Sequence, residues 1–444
     1  MYFGGDCTAL GVKARMKKHY LSICAIVKNE ARYLEEWIAF HQIQGVDHFF
    51  IYDHESTDDT LELLKRYETA GIVTIGKATG HAPQLPTYQK CIDVHGYSSK
   101  WMAFLDADEF LYANYPKSFP LKELLRSYEG YSAVAVNWVL YGSNGLQEYD
   151  PRLVIERFTD RAKEADSHVK TILQPAMELD VGKNAHYFKL RTPAVNENKV
   201  KLPPEYYHTD PSVKKLRVNH YHTKSEAEYK LRKASGVDVD GVNRNSPDRF
   251  AVHNVGGLTD LSAAMLAPLV HEKIAANKRS FLEVVWSNSN PWQVKDEFIP
   301  FMQFILDNKI KRVLEIGCHR AGTATALLQL GCDVTSIDIV KQPEVREAER
   351  KGLKFFLRDE FNPDGKYDLI FIDGDHSYDG CKKDYQEYKG IVKKGGFIAF
   401  HDVVKSDLHI KQQCGVWQVL EELDMPKIDF ITDGYWGGIS IIKV

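Results

Sequence analysis

The sequence predicts an α/β protein of two units, each built on a largely parallel sheet. Three observations carry that expectation. Short apolar, β-prone runs alternate with segments of helical period from residue 21 to residue 105. The alternation lapses between residues 236 and 300. It restarts at Arg312 and runs to the end of the 444-residue chain. That length suits two or three domains of roughly 100–200 residues, each able to bury its own core without a disulfide or metal staple.

Residues 21–27 (LSICAIV) form the first strand. A helix follows from Glu30 to Gln44, with Leu34, Trp37, Ile38 and His41 at helical spacing. His48–Tyr52 is the second strand, and the polar turn DHESTDD supplies N-cap residues for a helix over Thr60–Tyr67. Ile72–Ile75 and Trp101–Leu105 are the third and fourth strands. Strands are also expected at 131–140 and 151–158, around the loop YGSNGLQEYD, and a helix over Ser225–Lys233. Gly236–Asn254 reads as a polar loop, and 261–277 as a helix apart from Pro268. In the second half, strands at Arg312–Ile316, Asp333–Ile337, Leu353–Leu357, Tyr367–Ile372, Phe397–Phe400 and near 427–432 and 437–443 surround helices over Thr323–Leu330 and Asp379–Val392. The boundary falls near residue 280. It gives an N-terminal extension over 1–18, a first domain over 19–280 with a helical tail, and a second domain over 281–444.

Composition narrows the function classes. Lys plus Arg is 57 and Asp plus Glu is 61, a formal charge of -4, without the basic excess of a nucleic-acid binder. Seven scattered cysteines with no C-x-x-C pair predict a reduced, cytoplasmic chain. No apolar run reaches the ~18 residues of a membrane span, so no transmembrane segment is expected. The first residues carry no apolar stretch of the secretory kind, and Met16-Lys17-Lys18 directly precedes the first strand.

In the first half, Asp106-Ala107-Asp108-Glu109 follows an apolar strand. In extended chain, residues i and i+2 share a side, so Asp106 and Asp108 are expected to converge. Converging carboxylates need a counter-charge, which Mg²⁺ or Mn²⁺ bridging a diphosphate would supply. A solvated acidic turn would read the same way. Around this motif, Val27-Lys28-Asn29-Glu30, Glu36-Trp37, His41, Gly45-Val46 and Tyr52-Asp53 with Ser56 and Asp58 fall in order. Asn137-Trp138 with Tyr141-Gly142-Ser143 and Gly145, Lys170 to Pro175, and Asn219 to Ser225 (NHYHTKS) follow. Over about 20–235 this set resembles the family-92-type glycosyltransferases, with Tyr141 where that family has Phe.

The resemblance implies a GT-A fold, a nucleotide-sugar donor (a UDP-sugar), a glycan acceptor and inversion at the sugar carbon. It places Val27, Asn29, Glu30, Asp53 and Ser56 at the base and ribose, and Asp106 and Lys224 at the diphosphate. Asp106, Asp108 and His220 become the metal ligands. Trp138 would pack beneath the acceptor site, or serve equally as a core residue. No motif marks the base that deprotonates the acceptor; Glu148 and Asp150 are the candidates, and either would serve equally as a solvated loop charge.

In the second half, Val313 to Gly322 (VLEIGCHRAG) reads as a strand, a glycine turn and a helix start, and Asp338 ends the next strand. Gly317 and Gly322 would let a ligand approach, and Asp338 would take ribose hydroxyls. A dinucleotide site has the same geometry, although the full G-x-G-x-x-G is absent. The segments IDGDHSYDG and IVKKGGFIAFHD complete a resemblance, over about 290–444, to class I S-adenosylmethionine-dependent methyltransferases of the small O-methyltransferase group. This implies a Rossmann-like fold with S-adenosylmethionine contacted by Glu315, Gly317, Gly322, Asp338, Asp359 and Asp373. Asp373, Asp375, His376, His401 and Asp402 would ring one pocket. His376 and Asp375 are the catalytic candidates. Asp373 and Asp402 match metal-ligand positions, although His401-Asp402 departs from the adjacent Asp-Asp or Asp-Asn of metal-dependent relatives. The combined expectation is a fused transferase that adds a sugar and methylates a sugar hydroxyl. The alternatives are a methyl acceptor unrelated to the glycan, or a second half that only binds cofactor.

Overall fold

The computed structural model describes residues 17–114, 119–203, 205, 210–234, 248–432 and 434–444. All but the last two residues of the expected 1–18 extension lie outside that set. The chain divides into two compact units, Met1–Asn277 and Lys278–Val444.

The first unit is built on an eight-stranded sheet. In chain order its strands are β1 (His19–Val27), β2 (His48–Asp53), β3 (Val73–Lys77), β4 (Ser99–Phe104), β5 (Glu109–Ala113), β6 (Ala133–Leu140), β7 (Asp166–Leu173) and β8 (Leu216–His220). Their order in the sheet is β3-β2-β1-β4-β7-β6-β8-β5. The run β3-β2-β1-β4 is parallel. Beyond β4 only β6 and β8 pair in parallel, so the sheet is mixed rather than largely parallel. Helix α1 (Ala31–Gln44) covers one face through Leu34, Trp37 and Ile38, and ends at Gly45 with φ 108. Helix α2 (Thr60–Thr69) joins that face. Helix α3 (Gln84–His95) covers the other with Tyr88, Cys91 and Ile92. Strands buried on both faces read as continuous apolar runs, which is why β1, β2 and β4 were visible in the sequence.

Three expectations fail locally. Residues 151–158 are not a strand: Val154–Arg157 is a single helical turn. Its first amides are captured by the buried Glu36 carboxylate, at 2.7 Å from Val154 N and 3.0 Å from Ile155 N. The expected loop Gly236–Asn254 lies partly outside the described residues, and its end, Asp248–His253, is helical. Pro268 does not interrupt a helix, because it sits in the first turn of Ala267–Ser289, where its missing N–H has no partner to lose.

The second unit holds a seven-stranded sheet: β9 (Arg312–Ile316), β10 (Asp333–Asp338), β11 (Lys354–Leu357), β12 (Tyr367–Ile372), β13 (Val392–His401), β14 (Lys427–Phe430) and β15 (Ile439–Lys443). The order is β11-β10-β9-β12-β13-β15-β14, parallel except for β15, which runs antiparallel to both neighbours. This is the Rossmann-like arrangement expected of a class I methyltransferase. Sheet order reverses direction at β9, so the carboxyl ends of β9, β10, β12 and β13 surround one crevice.

Candidate active sites

At the end of β1, Asn29 takes φ 58, a conformation Asn tolerates better than most side chains. Its Oδ1 accepts from Thr57 N at 2.7 Å, and its own N–H donates to Ser56 Oγ at 3.0 Å. Asn29 and Ser56 thus brace two loops against each other. Val27 is buried and offers only backbone, its carbonyl accepting from His54 N. Asp53 Oδ2 accepts from Ser56 N at 3.3 Å, while its Oδ1 is buried without a partner among the described residues.

The two aspartates of the acidic motif do not converge. β4 ends at Phe104, and the chain turns: Glu109 N donates to the Asp106 carbonyl at 3.1 Å, and Asp106 N to Glu109 Oε2 at 2.9 Å. In a turn the two-residue alternation of extended chain is lost, and each carboxylate finds its own partners. Asp106 accepts from Lys170 Nζ at 2.8 Å and Gln84 Nε2 at 3.2 Å. The buried Lys170 also reaches Glu109 at 3.2 Å. Burial alone would lower the Lys170 pKa, but Asp106 and Glu109 outweigh it and raise it.

Asp108 belongs to a different cluster. Its carboxylate lies 3.6 Å from His220 Nε2, 4.0 Å from His222 Nδ1 and 2.6 Å from Arg232 Nη1. Burial opposes its charge, yet His220, Arg232 and Lys224 hold it well below the usual carboxylate range. One ligand atom from each of Asp108, His220 and His222 falls within a 4.8 Å group. His220 Nδ1 is buried without a partner among the described residues. An anionic oxygen and two imidazoles fit Mn²⁺, and Arg232 already answers the cluster's demand for positive charge. Lys224, at φ 49, sets its ammonium 4.3 Å over the Tyr33 ring. Burial pushes Glu30 up to about 7, against the pull of Lys224. Sequence reasoning assigned no role to Lys170, His222 or Arg232; the first two lie inside motif segments, and nothing local marks Arg232. Glu148 is exposed on its loop. Asp150 is held down to about 2 by hydrogen bonds from Arg152.

The second unit carries a cavity of about 580 Å³ lined by Gly317, Gly322, Asp338, Asp373, Asp375, His376, His401 and Asp402 among others. Gly317 has φ 92, and a Cβ there would meet the Asp373 carbonyl oxygen at 2.1 Å. The glycine is needed for the close approach of two strand-end loops, rather than of loop and ligand. At Gly322 a Cβ would meet the Pro291 backbone at 2.8 Å. Asp338 Oδ2 accepts from Cys318 N at 2.9 Å and His319 N at 2.8 Å, so this carboxylate shapes the glycine turn while facing the cavity. Glu315 is off the cavity wall: it is buried and accepts from Ser336 Oγ at 2.5 Å. Asp359 is exposed and also off the wall, where the neighbouring Arg358 takes its place.

Deeper in the cavity, Asp373 Oδ1 lies 2.9 Å from His401 Nδ1, and its Oδ2 accepts from Gln293 Nε2 at 2.7 Å. His376 Nδ1 lies 2.5 Å from Asp402 Oδ2. Asp375 Oδ1 accepts from Ser377 N at 2.9 Å. Asp373, His401 and Asp402 form the second group whose ligand atoms fall within 4.8 Å, and His401 adds an imidazole to the two carboxylates foreseen. His401 Nε2 and Asp402 Oδ1 are buried without hydrogen-bond partners among the described residues, so the set fits a divalent cation.

Residues 17–228 match the family model for glycosyltransferase family 92, and residues 314–403 that for a methyltransferase domain. A glycosyltransferase family 92 protein of Oryza sativa subsp. japonica is 28% identical over 183 residues, 40% of this chain and 31% of the relative. One of Arabidopsis thaliana is 27% identical over 203 residues, 43% and 35% respectively. The chain spans about a third of the length of these curated relatives. Among solved structures, an O-methyltransferase from Bacillus cereus in complex with SAH covers 38% of this chain and 90% of its own, at 13% identity and a TM-score of 0.28. The N-methyltransferase NodS from Bradyrhizobium japonicum covers 37% and 97%, at 16% identity and a TM-score of 0.27.

Proposed function

We propose, from the premise that residues 17–228 are a glycosyltransferase family 92 domain and residues 314–403 a methyltransferase domain, that this chain transfers a sugar and then methylates it. The observation that carries the first half is the Asp108–His220–His222 cluster, formed by the turn before β5 and the end of β8, with Lys224 and Arg232 beside it. The donor is a UDP-sugar, with Asp53 accepting from the base or ribose. Asp108, His220 and His222 would hold Mn²⁺ or Mg²⁺, which supplies positive charge to the departing diphosphate. Lys224 and Arg232 add cationic donors to the same oxygens, and transfer inverts the sugar carbon. The acceptor is a glycan, and the setting is cytoplasmic. In keeping with that setting, the six described cysteines are buried and form no disulfide. No described helix is long and apolar enough to cross a membrane.

In the second domain, S-adenosylmethionine supplies the electrophilic methyl when bound in the cavity. Asp338 orders the glycine turn and accepts from the ribose. His376 Nε2 takes the acceptor hydroxyl proton while Asp402 holds Nδ1. Asp373, His401 and Asp402 would hold a divalent cation that lowers the hydroxyl pKa. The acceptor is the newly added sugar, because fusion raises the effective concentration of one product at the next site. The domains meet near residue 280, so chains 16–280 and 281–444 should each fold alone. The deciding experiment incubates full-length protein with a panel of UDP-sugars, Mn²⁺ and methyl glycosides, then adds S-adenosylmethionine. UDP release followed by a 14 Da gain on the glycosylated product is expected. UDP release with no methyl on any product turns the second half toward an unrelated acceptor or simple cofactor binding.

A further inference from the structure

Two tryptophans line the cavity of the second unit, and both are exposed: Trp292 at 66% and Trp436 at 38%. An open indole on a concave wall is apolar area for a ligand to cover. The two stand in different places. Trp292 meets His319 edge-on, at 4.9 Å between ring centroids, and the His319 amide is one of the two that bind Asp338 in the glycine turn. Trp292 therefore belongs to the cofactor side. Trp436 lies between β14 and β15, in a segment fastened to the end of β13. Gly437 N donates to His409 Nε2 at 3.4 Å, and Val404 N donates to the Gly437 carbonyl at 3.3 Å. The same His409 Nε2 is 3.7 Å from Asp402 Oδ1. Trp436 is thus tied to the Asp402 end of the cavity.

Its placement is built from a distant element. Glu297 is fully buried in the first turn of the helix Lys295–Asp307. Its Oε1 accepts from Thr432 N at 3.0 Å and Thr432 Oγ1 at 2.9 Å, and its Oε2 from Gly438 N at 2.8 Å. A buried carboxylate is tolerated only when hydrogen-bonded, and these bonds all go to the two ends of the segment that carries Trp436. Gly438 has φ 84, and a Cβ there would meet the Val403 and Val404 side chains at 2.9 Å. The backbone therefore lies directly on the end of β13. Glu297 and Trp436 both fall outside residues 314–403, the methyltransferase match, where features particular to one acceptor are expected. The neighbours point to the ligand. Apart from Gly374, the residues given to the cavity around the carboxyl ends of β12 and β13 are Asp373, Asp375, His376, His401 and Asp402, all polar. An indole face beside such a wall suits a ring that is apolar on one face and rimmed by hydroxyls, as a pyranose is.

We propose that Trp436 is the platform on which the pyranose ring of the methyl acceptor stacks, and that Glu297 is the positioning residue that holds it there. This rests on the methyltransferase reading above. The test uses full-length protein with S-adenosylmethionine, Mg²⁺ and the methyl glycosides of galactose, glucose and N-acetylglucosamine, with catechol as an aromatic comparison. Initial rates of S-adenosylhomocysteine formation give KM and kcat, and calorimetry gives S-adenosylmethionine affinity. Trp436→Ala is expected to raise the KM for a glycoside by ~10-fold or more, with kcat and cofactor affinity unchanged, the pattern of a contact made equally in ground and transition states. Trp436→Phe keeps a smaller ring face and should recover most of that loss; it also serves if the alanine form melts early. Glu297→Gln should raise the same KM by ~3–10-fold at constant kcat, because an amide puts a donor where one of the accepting oxygens stood. Unchanged KM in Trp436→Ala overturns the platform, and unchanged KM in Glu297→Gln overturns the positioning role. A parallel fall of kcat and cofactor affinity in both Trp436 variants marks a structural residue and also overturns the assignment. Cofactor binding with no methyl on any glycoside, whether or not catechol is methylated, overturns the sugar ring and leaves the cofactor domain standing. If the unaltered protein does not bind S-adenosylmethionine, the methyltransferase reading falls, and the platform with it.

Discussion

The two aspartate–histidine clusters differ in how their charge is balanced. Around Asp108, the carboxylates Asp106, Glu109 and Glu30 are interleaved with Lys170, Lys224 and Arg232. Around Asp373, Asp338, Asp375 and Asp402 line the same cavity, and its two arginines are engaged with acids. Arg320 pairs with Glu344 at 3.6 Å, and Arg358 with Asp384 and Glu387. Under the proposed function, the first site would receive a departing diphosphate beside Lys170, Lys224 and Arg232, and the second a sulfonium in a cavity whose two arginines are paired with acids outside its cluster. Similar residue types would then serve opposite ligands, and the neighbouring cations would make the difference.

The most severe break of that comparison is Asp108→Ala. It removes the anion around which His220, His222 and Arg232 are gathered. UDP release should fall by at least ~10²–10³-fold, while S-adenosylmethionine binding in the same protein stays unchanged. Full sugar transfer by this variant would mean that the cluster is structural. Next in size is Asp338→Ala, which takes one acceptor from the ribose and two hydrogen bonds from the glycine turn. Calorimetric affinity for S-adenosylmethionine should weaken by ~10–100-fold. Tight NAD binding with no response to S-adenosylmethionine would instead make the second unit a dinucleotide site. Lys224→Ala should be milder, about tenfold in UDP affinity, because one of several cations is lost. A larger change in S-adenosylmethionine affinity than in UDP affinity would undo the charge argument.

How much of this could be read from the sequence follows the range of the interactions. Residues that end buried strands were legible, since an apolar run followed by a polar turn marks them: Asp53, Asp106–Glu109, Gly317, Asp338, Asp373 and Asp402. Partners supplied from distant elements were not. Arg232 reaches Asp108 across 124 positions, and Glu36 turns 154–157 into a helix across 118. Strand β5 was hidden because it begins inside the acidic motif. Helix α3 was missed because Pro86 and Thr87 blunt its helical signal, although Pro in a first turn is tolerated. The i, i+2 argument for Asp106 and Asp108 failed because alternation holds only while the chain stays extended.

The smallest expected effect tests whether the second site is as acidic as its sequence. Glu315 lies directly under the glycine turn, but burial pushes its pKa up to about 8, with the Ser336 hydroxyl only partly offsetting that. In the unfolded chain a glutamate titrates near ~4.3. Below that pH both states hold the proton, and Glu315 contributes its full share to stability. Between the two values the unfolded state has released the proton and the native state has not. Stability therefore declines as pH rises through this window, until the native group also ionises near 8. Glu315→Gln keeps the shape and an acceptor for Ser336, and removes the titration. Its thermal midpoint should match the unaltered protein near pH 4 and exceed it at pH 8. S-adenosylmethionine affinity at pH 7 should be unchanged, since a neutral acid has been replaced by a neutral amide. A marked fall in affinity would show that Glu315 is ionised in the native state and adds to the negative field of the cavity, sharpening the contrast with the cation-rich first site.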